Sequence, residues 1–333
     1  MIRNCYIHIP FCKNICSYCD FCKLFYNTGY VSSYLEALKN EILEFYQGEV
    51  LDTLYIGGGT PSSLSTLELE KLFSILSIFK KSSSCEVTIE ANFDSITEEK
   101  IDLFKKYGVN RISFGLETTH DWILKKMNRT LDLEYVRHII SYCKRVGITN
   151  INVDLMYAFP GETLKELEED IDFILSLDVS HVSTYSLILE EGTILKYKNY
   201  QPLDEENEYQ LTLFIDQELE KIGFEKYEIS NYAKQGYQSK HNLMYWYYNN
   251  YYGIGLGACS KIDGQIIEHS RSLTKYLNGD FKTTTIDETK EETMFNQIMM
   301  SLRLKEGLDL NKFKERYQED ARILYKEAIT RNI

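Results

Sequence analysis

Three cysteines near the start of the chain constrain it more than any other feature. Cys12, Cys16 and Cys19 form a C-x3-C-x2-C array in one short loop. Three thiolates so close together can hold three irons of a [4Fe–4S] cluster and leave the fourth iron open. A zinc site usually needs four ligands; Cys22 could supply the fourth, but no second cysteine pair follows. A disulfide framework is disfavoured in a chain of 333 residues without an export signal. The array therefore favours a cluster-binding loop.

The other cysteines of the first half carry less information. Cys22 is interpreted as a neighbour of the array rather than a ligand, and Cys5, Cys85 and Cys143 as small buried hydrophobic residues. Tyr6 and His8 lie on an apolar run that predicts a strand leading into the loop.

Charge and hydropathy narrow the class of protein. The net charge is −13, with 44% hydrophobic and 26% charged residues, which is typical of a folded protein and disfavours binding to nucleic acid phosphates. No run reaches the roughly 18 apolar residues of a membrane span. The first residues lack the apolar core of a secretory signal. We therefore expect a cytoplasmic protein, where reduced thiols persist.

Strand and helix patterns alternate through the first two hundred residues. Strands are predicted at 4–9, 53–56, 86–90, 111–115, 151–156 and 181–186. Helices are predicted at 34–45, 67–78, 97–107, 132–146 and 163–176. Repeated βα units give a parallel sheet, either open or closed into a barrel. Ligand sites in such sheets gather at the carboxyl ends of the strands.

Glycines and charged side chains stand at those predicted strand ends. The run Gly57-Gly58-Gly59-Thr60 follows the second strand and lets backbone approach a ligand closely. The acids are Glu90, Glu117 and Asp154, accompanied by Arg129. One acid at a strand end is often a helix cap, whereas three on one rim indicate a site. Carboxylates suit ribose hydroxyls, and arginine suits a carboxylate.

The second half has weaker periodicity. A helix is predicted at 205–222, and the tyrosine-rich segment after it is interpreted as short strands and turns over the barrel mouth. Gly253, Gly255 and Gly257 suit backbone lying close to a ligand or to the cluster. Two further helices are predicted at 291–304 and 310–329.

Seven motifs occur in the same order as in a known family. They are YIHIPFC, GGGTPS, GVNRISFG, NVDLMYAFPGET, YEISNYA, HNLMYW and GIGLGA. The chain resembles the HemW heme chaperones of the radical S-adenosylmethionine (SAM) superfamily, relatives of oxygen-independent coproporphyrinogen III dehydrogenase. The resemblance runs from Tyr6 to Leu308 and implies an incomplete (β/α)6 barrel with a smaller C-terminal α+β region. It divides the chain into the barrel (1–195), the HNxxYW-containing region (196–285) and a C-terminal helical segment (286–333), which looks shortened after Ile329.

The resemblance also implies cofactors and their residues. Cys12, Cys16 and Cys19 would ligate a [4Fe–4S] cluster whose open iron is chelated by SAM. The SAM contacts carried over by motif are Tyr6, Tyr18, Gly58, Gly59, Thr60, Glu90, Glu117, Arg129 and Asp154. Among these, Tyr18 would face the adenine, Glu90 the ribose and Arg129 the carboxylate. Glu117 departs from the family, which usually has glutamine there, so an anion replaces a neutral amide.

The motif HNLMYW implies a heme site. His241 would be the axial ligand, with Asn242, Tyr245 and Trp246 around the porphyrin. The family usually has GAH in the later glycine motif, whereas this chain has Cys259 at the third position, and a thiolate can also ligate heme. No CxxCH motif for covalent heme attachment is present in the sequence. The cluster would then serve as a redox or SAM-responsive switch beside the heme.

Two functions from different classes follow from the resemblance. The first is a heme chaperone that passes heme to an acceptor protein, such as a respiratory-chain component, with flavodoxin or ferredoxin as electron donor. The alternative is oxygen-independent coproporphyrinogen III dehydrogenase, a radical SAM enzyme of porphyrin biosynthesis; a third is a heme-degrading methyltransferase. The short segment before Cys12 favours the chaperone. No residue is assigned a catalytic role.

Overall fold

The computed structural model describes residues 2–324 and 326 and is built around a sheet of nine strands. In chain order the strands are β1 (Asn4–Ile9), β2 (Phe11–Cys12), β3 (Leu24–Phe25), β4 (Val50–Gly58), β5 (Lys80–Asn92), β6 (Arg111–Glu117), β7 (Asn150–Tyr157), β8 (His181–Ser186), β9 (Glu225–Lys226), β10 (Asn231–Ala233), β11 (Tyr252–Ile254), β12 (Cys259–Ile262), β13 (Gln265–His269) and β14 (Lys282–Asp287). The main sheet has the order β11-β1-β4-β5-β6-β7-β8-β10-β9.

Helices follow the strands as the sequence pattern predicts. In chain order they are α1 (Thr28–Phe45), α2 (Thr66–Leu76), α3 (Glu98–Lys106), α4 (Asp121–Lys126), α5 (Leu133–Arg145), α6 (Leu164–Ser176), α7 (Ile194–Tyr197), α8 (Glu205–Lys221), α9 (Lys240–Trp246), α10 (Leu273–Leu277), α11 (Lys290–Ser301), α12 (Leu310–Tyr317) and α13 (Ala321–Leu324). Hydrogen bonds between residues close in sequence fix where helices begin. Ser65 and Thr163, for example, each form a capping box with the glutamate three residues later. None of these helices is long and apolar enough to cross a membrane.

The six predicted strands are present and parallel, which confirms the incomplete (β/α)6 barrel. The neighbouring strands β1, β4, β5, β6, β7 and β8 all pair in parallel. Strand β10 pairs antiparallel with β8. The sheet runs from β11 at one edge to β9 at the other, so the barrel is open. Strands from beyond residue 195 therefore share hydrogen bonds with the barrel, while the three-part division of the chain stays a prediction.

Each barrel strand has one apolar and one polar face. Cys5, Ile7 and Ile9 of β1 pack in the main core under the helices, as a strand that alternates its side chains requires. The opposite face points into the barrel and carries polar groups. One row across the sheet, matched by strand register, consists of Tyr6, Tyr55, Thr88, Arg111 and Asn150. The barrel interior is therefore polar.

The tyrosine-rich segment contains the short strands β9 and β10, but its HNLMYW motif lies at the opposite end of the barrel from the predicted one. The prediction of short strands and turns over the mouth is wrong for HNLMYW, which is helix α9 with Ser239 as its N-cap. The backbone N–H groups of Lys240 and His241 donate to the Glu86 carboxylate, which lies at the amino-terminal half of the barrel. The motif packs there because its helix start satisfies a buried acid.

The glycine motif behaves differently, because β11 extends the sheet beside β1. Gly257 lies so close to the cluster loop that a Cβ atom would stand 2.9 Å from the Cys22 sulfur. The predicted helix at 310–329 is interrupted: Gln318, in the left-handed region, ends α12, and α13 begins at Ala321. The rest of that prediction, at 325 and 327–329, lies outside the described residues.

Candidate functional site

The cluster loop is held at the carboxyl end of β1. Its two ends pair in parallel, Phe11 with Leu24 and Cys12 with Phe25. Within the loop, the Cys19 N–H donates to the Cys16 carbonyl at 3.3 Å. Cys22 contributes its carbonyl, which contacts His8 Nε2 at 2.7 Å, and its side chain bonds to Arg271. Cys5, Cys85 and Cys143 are buried as predicted.

The three array thiols lie in a protein environment that favours their neutral form. Burial raises the pKa of Cys12 to about 11 and raises the pKa values of Cys16 and Cys19 above the ordinary range. Metal binding must then release protons. Among residues 2–324 and 326, no three His, Cys, Asp or Glu side chains converge on one metal ion. A four-iron cluster is larger than a single ion and is reached by thiols spread around it.

The glycine run forms a cradle against this loop. A Cβ atom on Gly59 would stand 2.7 Å from the backbone of Pro10 and 2.9 Å from the Cys12 sulfur. Gly58 has a φ of +116°, and a Cβ there would strike the His8 ring. The Thr60 hydroxyl donates to the Cys12 sulfur at 3.6 Å. The backbone therefore approaches the loop as closely as only glycine allows.

Two acids at the strand ends face the barrel interior. Glu90 accepts from the Tyr55 hydroxyl at 2.8 Å and from the Gly58 N–H at 2.9 Å. Burial raises the pKa of Glu90. Asp154 accepts from the Asn152 amide at 2.7 Å, and burial, followed by the charge of Glu117, raises its pKa to about 7. Both carboxylates are therefore short of compensating positive charge.

The third acid forms a buried ion pair. Glu117 Oε1 lies 2.9 Å from Arg129 Nη1 and accepts from the Tyr18 hydroxyl at 3.0 Å. Arg129 also donates to the Gly115 carbonyl at 2.8 Å, and its Nη1 lies 3.9 Å from the Cys16 sulfur. Glu117 occupies the left-handed region with a φ of +69°, which places its side chain on the rim. Arg129 is thus already paired with a side chain of this chain.

The donor set fits a [4Fe–4S] cluster and SAM. Three thiols lie in one loop, a glycine cradle borders that loop, and of the three nearby carboxylates only Glu117 is paired with Arg129. An excess of buried acid favours a ligand with ammonium and sulfonium charges and with ribose hydroxyls to donate. The predicted residues from Tyr6 to Asp154 therefore meet around one end of the barrel.

His241 lies inside the amino-terminal half of the barrel. Its side chain is buried, with 2% of its surface exposed, and its ring stacks on Tyr55 at 5.0 Å between centroids. Nδ1 lies 2.7 Å from the Thr53 hydroxyl and Nε2 lies 3.2 Å from the Tyr245 hydroxyl. Burial, followed by the charge of Arg111, lowers the pKa of His241 to about 3, so the ring is neutral at pH 7.

The other residues of the predicted heme site surround this histidine. Tyr245 stands edge-on to His241 at 5.2 Å and to Tyr251 at 4.8 Å. Tyr251 in turn bonds to the Cys259 side chain, and burial raises the pKa of that thiol. The indole N–H of Trp246 is buried and has no hydrogen-bond partner in the described structure. Asn242 acts through its backbone, which donates to Ser239.

The cluster loop and His241 are not neighbours. His241 contacts Thr53, while the cradle at Gly59 lies six residues further along, about 20 Å at 3.3 Å per residue. The HNLMYW helix caps Glu86 at the amino end of the sheet, away from the strand ends that bear the loop. Tyr55 lies between the two ends, because it stacks on His241 and donates to Glu90. A switch role of the cluster toward the heme site stays a prediction.

Three residues of the barrel interior were not predicted from the sequence. Tyr55 bridges Glu90 and His241, and Asn92 donates to Thr60 and lies 3.4 Å from Arg129. Arg111 is the third. A period of two along each predicted strand gives the signal, since Tyr55 precedes Gly57 and Asn92 follows Glu90 by two residues.

Comparison with known proteins adds family relationships to this geometry. The family model of the radical SAM superfamily matches residues 6–174, and that of the HemN C-terminal domain matches residues 289–333. The chain is 38% identical to the heme chaperone HemW of Bacillus subtilis (strain 168), covering 95% of this chain and 87% of that protein. It is 36% identical to the heme chaperone HemW of Lactococcus lactis subsp. lactis (strain IL1403), covering 98% and 88%.

A solved structure shares the fold. Coproporphyrinogen III oxidase (HemN) from Escherichia coli, a radical SAM enzyme, superposes with a TM-score of 0.87 at 19% identity, over 99% of this chain and 82% of that one. At this identity the likeness concerns the fold alone.

Proposed function

Because the chain belongs to the radical SAM superfamily and to its heme chaperone HemW family, we propose that it binds heme and passes it to an acceptor protein. The observation that carries the proposal is the state of His241, a buried neutral imidazole inside the HNLMYW motif. A neutral imidazole is a good axial ligand for heme iron.

The hydrogen bonds around His241 select one tautomer. The Thr53 hydroxyl donates its proton to Asn4 Oδ1 at 3.0 Å, and the Asn4 amide nitrogen is directed to the Asn250 carbonyl. Thr53 therefore accepts from His241, so Nδ1 carries the hydrogen. Nε2 then presents a lone pair, to which the Tyr245 hydroxyl donates. This is the tautomer that iron ligation through Nε2 requires.

Tyr245 covers the ligating nitrogen. Its side chain is only half-buried, so a change of rotamer about its Cα–Cβ bond would uncover Nε2. Replacing the Tyr245 hydroxyl by heme iron keeps the lone pair satisfied, and Thr53 continues to fix the ring orientation. We propose that cargo heme binds when Tyr245 swings away.

The cofactor end has its own residues. Cys12, Cys16 and Cys19 would ligate the cluster, and Gly58, Gly59, Thr60, Glu90, Arg129 and Asp154 would surround SAM, with Tyr6, Tyr18 and Glu117 beside them. Such a cluster supplies one-electron reduction when bound. Arg129 orients the site by holding Glu117 and the Gly115 carbonyl together. A small one-electron carrier such as flavodoxin or ferredoxin would reduce it, and the cytoplasm would keep its thiols reduced.

A hemin titration of the anaerobically reconstituted protein tests the proposal. Wild type is compared with His241→Ala and with Tyr245→Phe, which keeps the ring and removes the hydroxyl over Nε2. We expect His241→Ala to weaken binding and shift the Soret band. Tyr245→Phe should bind at least as tightly as wild type. Equal affinity and identical Soret spectra in wild type and His241→Ala would remove His241 from the heme site.

The alternative function is oxygen-independent coproporphyrinogen III dehydrogenase. The acid-rich SAM end of the barrel favours it, because that end fits the group on which radical chemistry depends. Formation of protoporphyrinogen IX from coproporphyrinogen III by the reduced, cluster-loaded protein would establish this activity. Its absence, together with heme binding, would leave the chaperone.

A further inference from the structure

Arg111 is a buried cation that forms no ion pair with any described residue. Its side chain is 1% exposed and is the largest among the fully buried side chains of the described structure. Within residues 2–324 and 326, its guanidinium group forms no side-chain hydrogen bond or ion pair, and Nε is fully enclosed. A charged group taken out of water without a partner is strongly disfavoured. A fold that keeps such a residue has another use for it.

Two neighbouring polar groups share this condition. Strand register places Thr88 on one side of Arg111 and Asn150 on the other, on the face that points into the barrel. The Thr88 hydroxyl and the Asn150 side-chain oxygen are buried and have no hydrogen-bond partner in the described part of the chain. Three adjacent strands therefore present unsatisfied polar atoms to one place.

The nearby carboxylates are engaged elsewhere. Glu86 accepts from the backbone N–H groups of Lys240 at 3.1 Å and His241 at 3.0 Å. Glu90 accepts from the Tyr55 hydroxyl and the Gly58 N–H. Neither acid forms a hydrogen bond or ion pair with Arg111, although Glu90 feels its charge. Among the described residues, the guanidinium N–H groups therefore stay free to donate to an anionic ligand.

The charge of Arg111 is felt on both sides of the barrel interior. After burial, it is the next cause that lowers the pKa of His241 and of His181. Burial raises the pKa of Glu90, and the charge of Arg111 opposes that rise, after the hydrogen bonds from Tyr55 and Gly58. Arg111 therefore lies between the SAM end and the histidine end, within reach of a ligand at either.

We propose that Arg111, with the Thr88 hydroxyl beside it, binds a carboxylate group of a ligand that enters the barrel. A guanidinium group pairs with a carboxylate through two parallel N–H···O bonds, and the Thr88 hydroxyl adds a donor. We identify this carboxylate as a propionate of the heme, an assignment that rests on the proposed function. Arg111 is two strands away from Thr53, which holds His241, about 10 Å across the sheet.

The test uses hemin, hemin dimethyl ester and acetate as probes of the cluster-loaded protein. Hemin dimethyl ester keeps the iron and the macrocycle and lacks both carboxylate charges. The variants are Arg111→Met, which removes the charge, and Arg111→Lys, which keeps it without the planar fork. We expect wild type to bind hemin about tenfold or more tightly than the ester. Arg111→Met should lose that preference, and Arg111→Lys should keep part of it.

Thermal unfolding of the ligand-free protein separates this role from a structural one. An unpaired buried charge opposes folding, so Arg111→Met should unfold at the same temperature as wild type or higher. A clearly lower temperature would overturn the proposal, because it would reveal a stabilising partner. Equal affinity of wild type for hemin and its ester would also overturn it and leave the heme function standing.

If wild type binds neither tetrapyrrole, the proposed function fails and acetate decides the inference. Protection of wild type by acetate against thermal unfolding, absent in Arg111→Met, would support a site for a small free carboxylate. Equal behaviour of the two proteins in acetate would overturn the site.

Discussion

The ion pair between Glu117 and Arg129 allows a quantitative test of the SAM end of the barrel. Replacing Glu117 by Gln keeps the side-chain volume and the left-handed backbone, so strain at this position is equal in both proteins. The change removes the negative charge that lies 2.9 Å from Arg129. The side chains of both partners are about nine-tenths buried, with 8% and 10% exposed, so solvent cannot take over the charge of the remaining partner.

The size of the effect follows from this burial. Removing one member of a buried pair costs about 3–5 kcal/mol, because the other charge stays uncompensated. Arg129 keeps its bond to the Gly115 carbonyl, and a glutamine oxygen can still accept from it, which favours the low end. We expect a loss of about 3 kcal/mol and a fall in Tm of about 5 °C for a chain of this size.

Thermal unfolding with and without SAM measures both consequences. The freed Arg129 can pair with the SAM carboxylate, so SAM should raise the Tm of Glu117→Gln more than that of wild type. The matched control is Glu98→Gln, which changes exposed contacts with Arg145 at 3.4 Å and His138 at 2.9 Å and should cost less than about 1 kcal/mol. Equal Tm values of Glu117→Gln and wild type without SAM would refute the reasoning. An equal rise in the Tm of both proteins on addition of SAM would refute it as well.

Two further results are expected at the same end of the barrel. Gly59→Ala should lower the iron bound per chain after anaerobic reconstitution, because its Cβ would strike the Pro10 backbone and the Cys12 sulfur. The control Gly29→Ala, whose Cβ meets only the Asn27 side chain at 3.1 Å, should bind the normal amount of iron. Equal iron in both variants would contradict a role of the glycine cradle in holding the cluster. The affinity for SAM, measured by calorimetry, should rise as the pH increases through about 7, since Asp154 then ionises and attracts the ligand cation. Asp154→Asn should flatten that dependence, and a wild-type affinity that is flat between pH 6 and pH 8 would exclude Asp154 from the site.

The barrel and the cluster end follow from local rules of sequence. Alternating apolar segments and helix caps such as Ser65 predict six parallel strands, and residues at their carboxyl ends then share one rim. Glu90, Glu117 and Arg129 meet there for that reason. The pairing of Glu117 with Arg129 was not predictable, because it depends on a backbone turn at Glu117 with a positive φ.

The heme end needed tertiary information. HNLMYW is rich in aromatic residues that favour strands, and its helix forms because Ser239 caps it and Glu86 accepts its first N–H groups. Neither contact follows from the motif itself, since Glu86 lies far away in sequence. Arg111 was missed for a related reason: a charged residue in a strand predicts exposure, and only the register reveals that it faces the barrel interior.

Hemin affinity without a cluster tests the central claim most directly. A variant with Cys12, Cys16 and Cys19 all changed to Ala cannot hold the cluster, while Thr53, the partner of His241, lies six residues before Gly59, about 20 Å along an extended strand. We expect this variant to bind hemin with the wild-type affinity and Soret spectrum, and the same variant with His241→Ala added to lose both. Loss of hemin binding in the cysteine variant, with its fold intact by circular dichroism, would contradict a heme site at His241 that stands apart from the cluster loop.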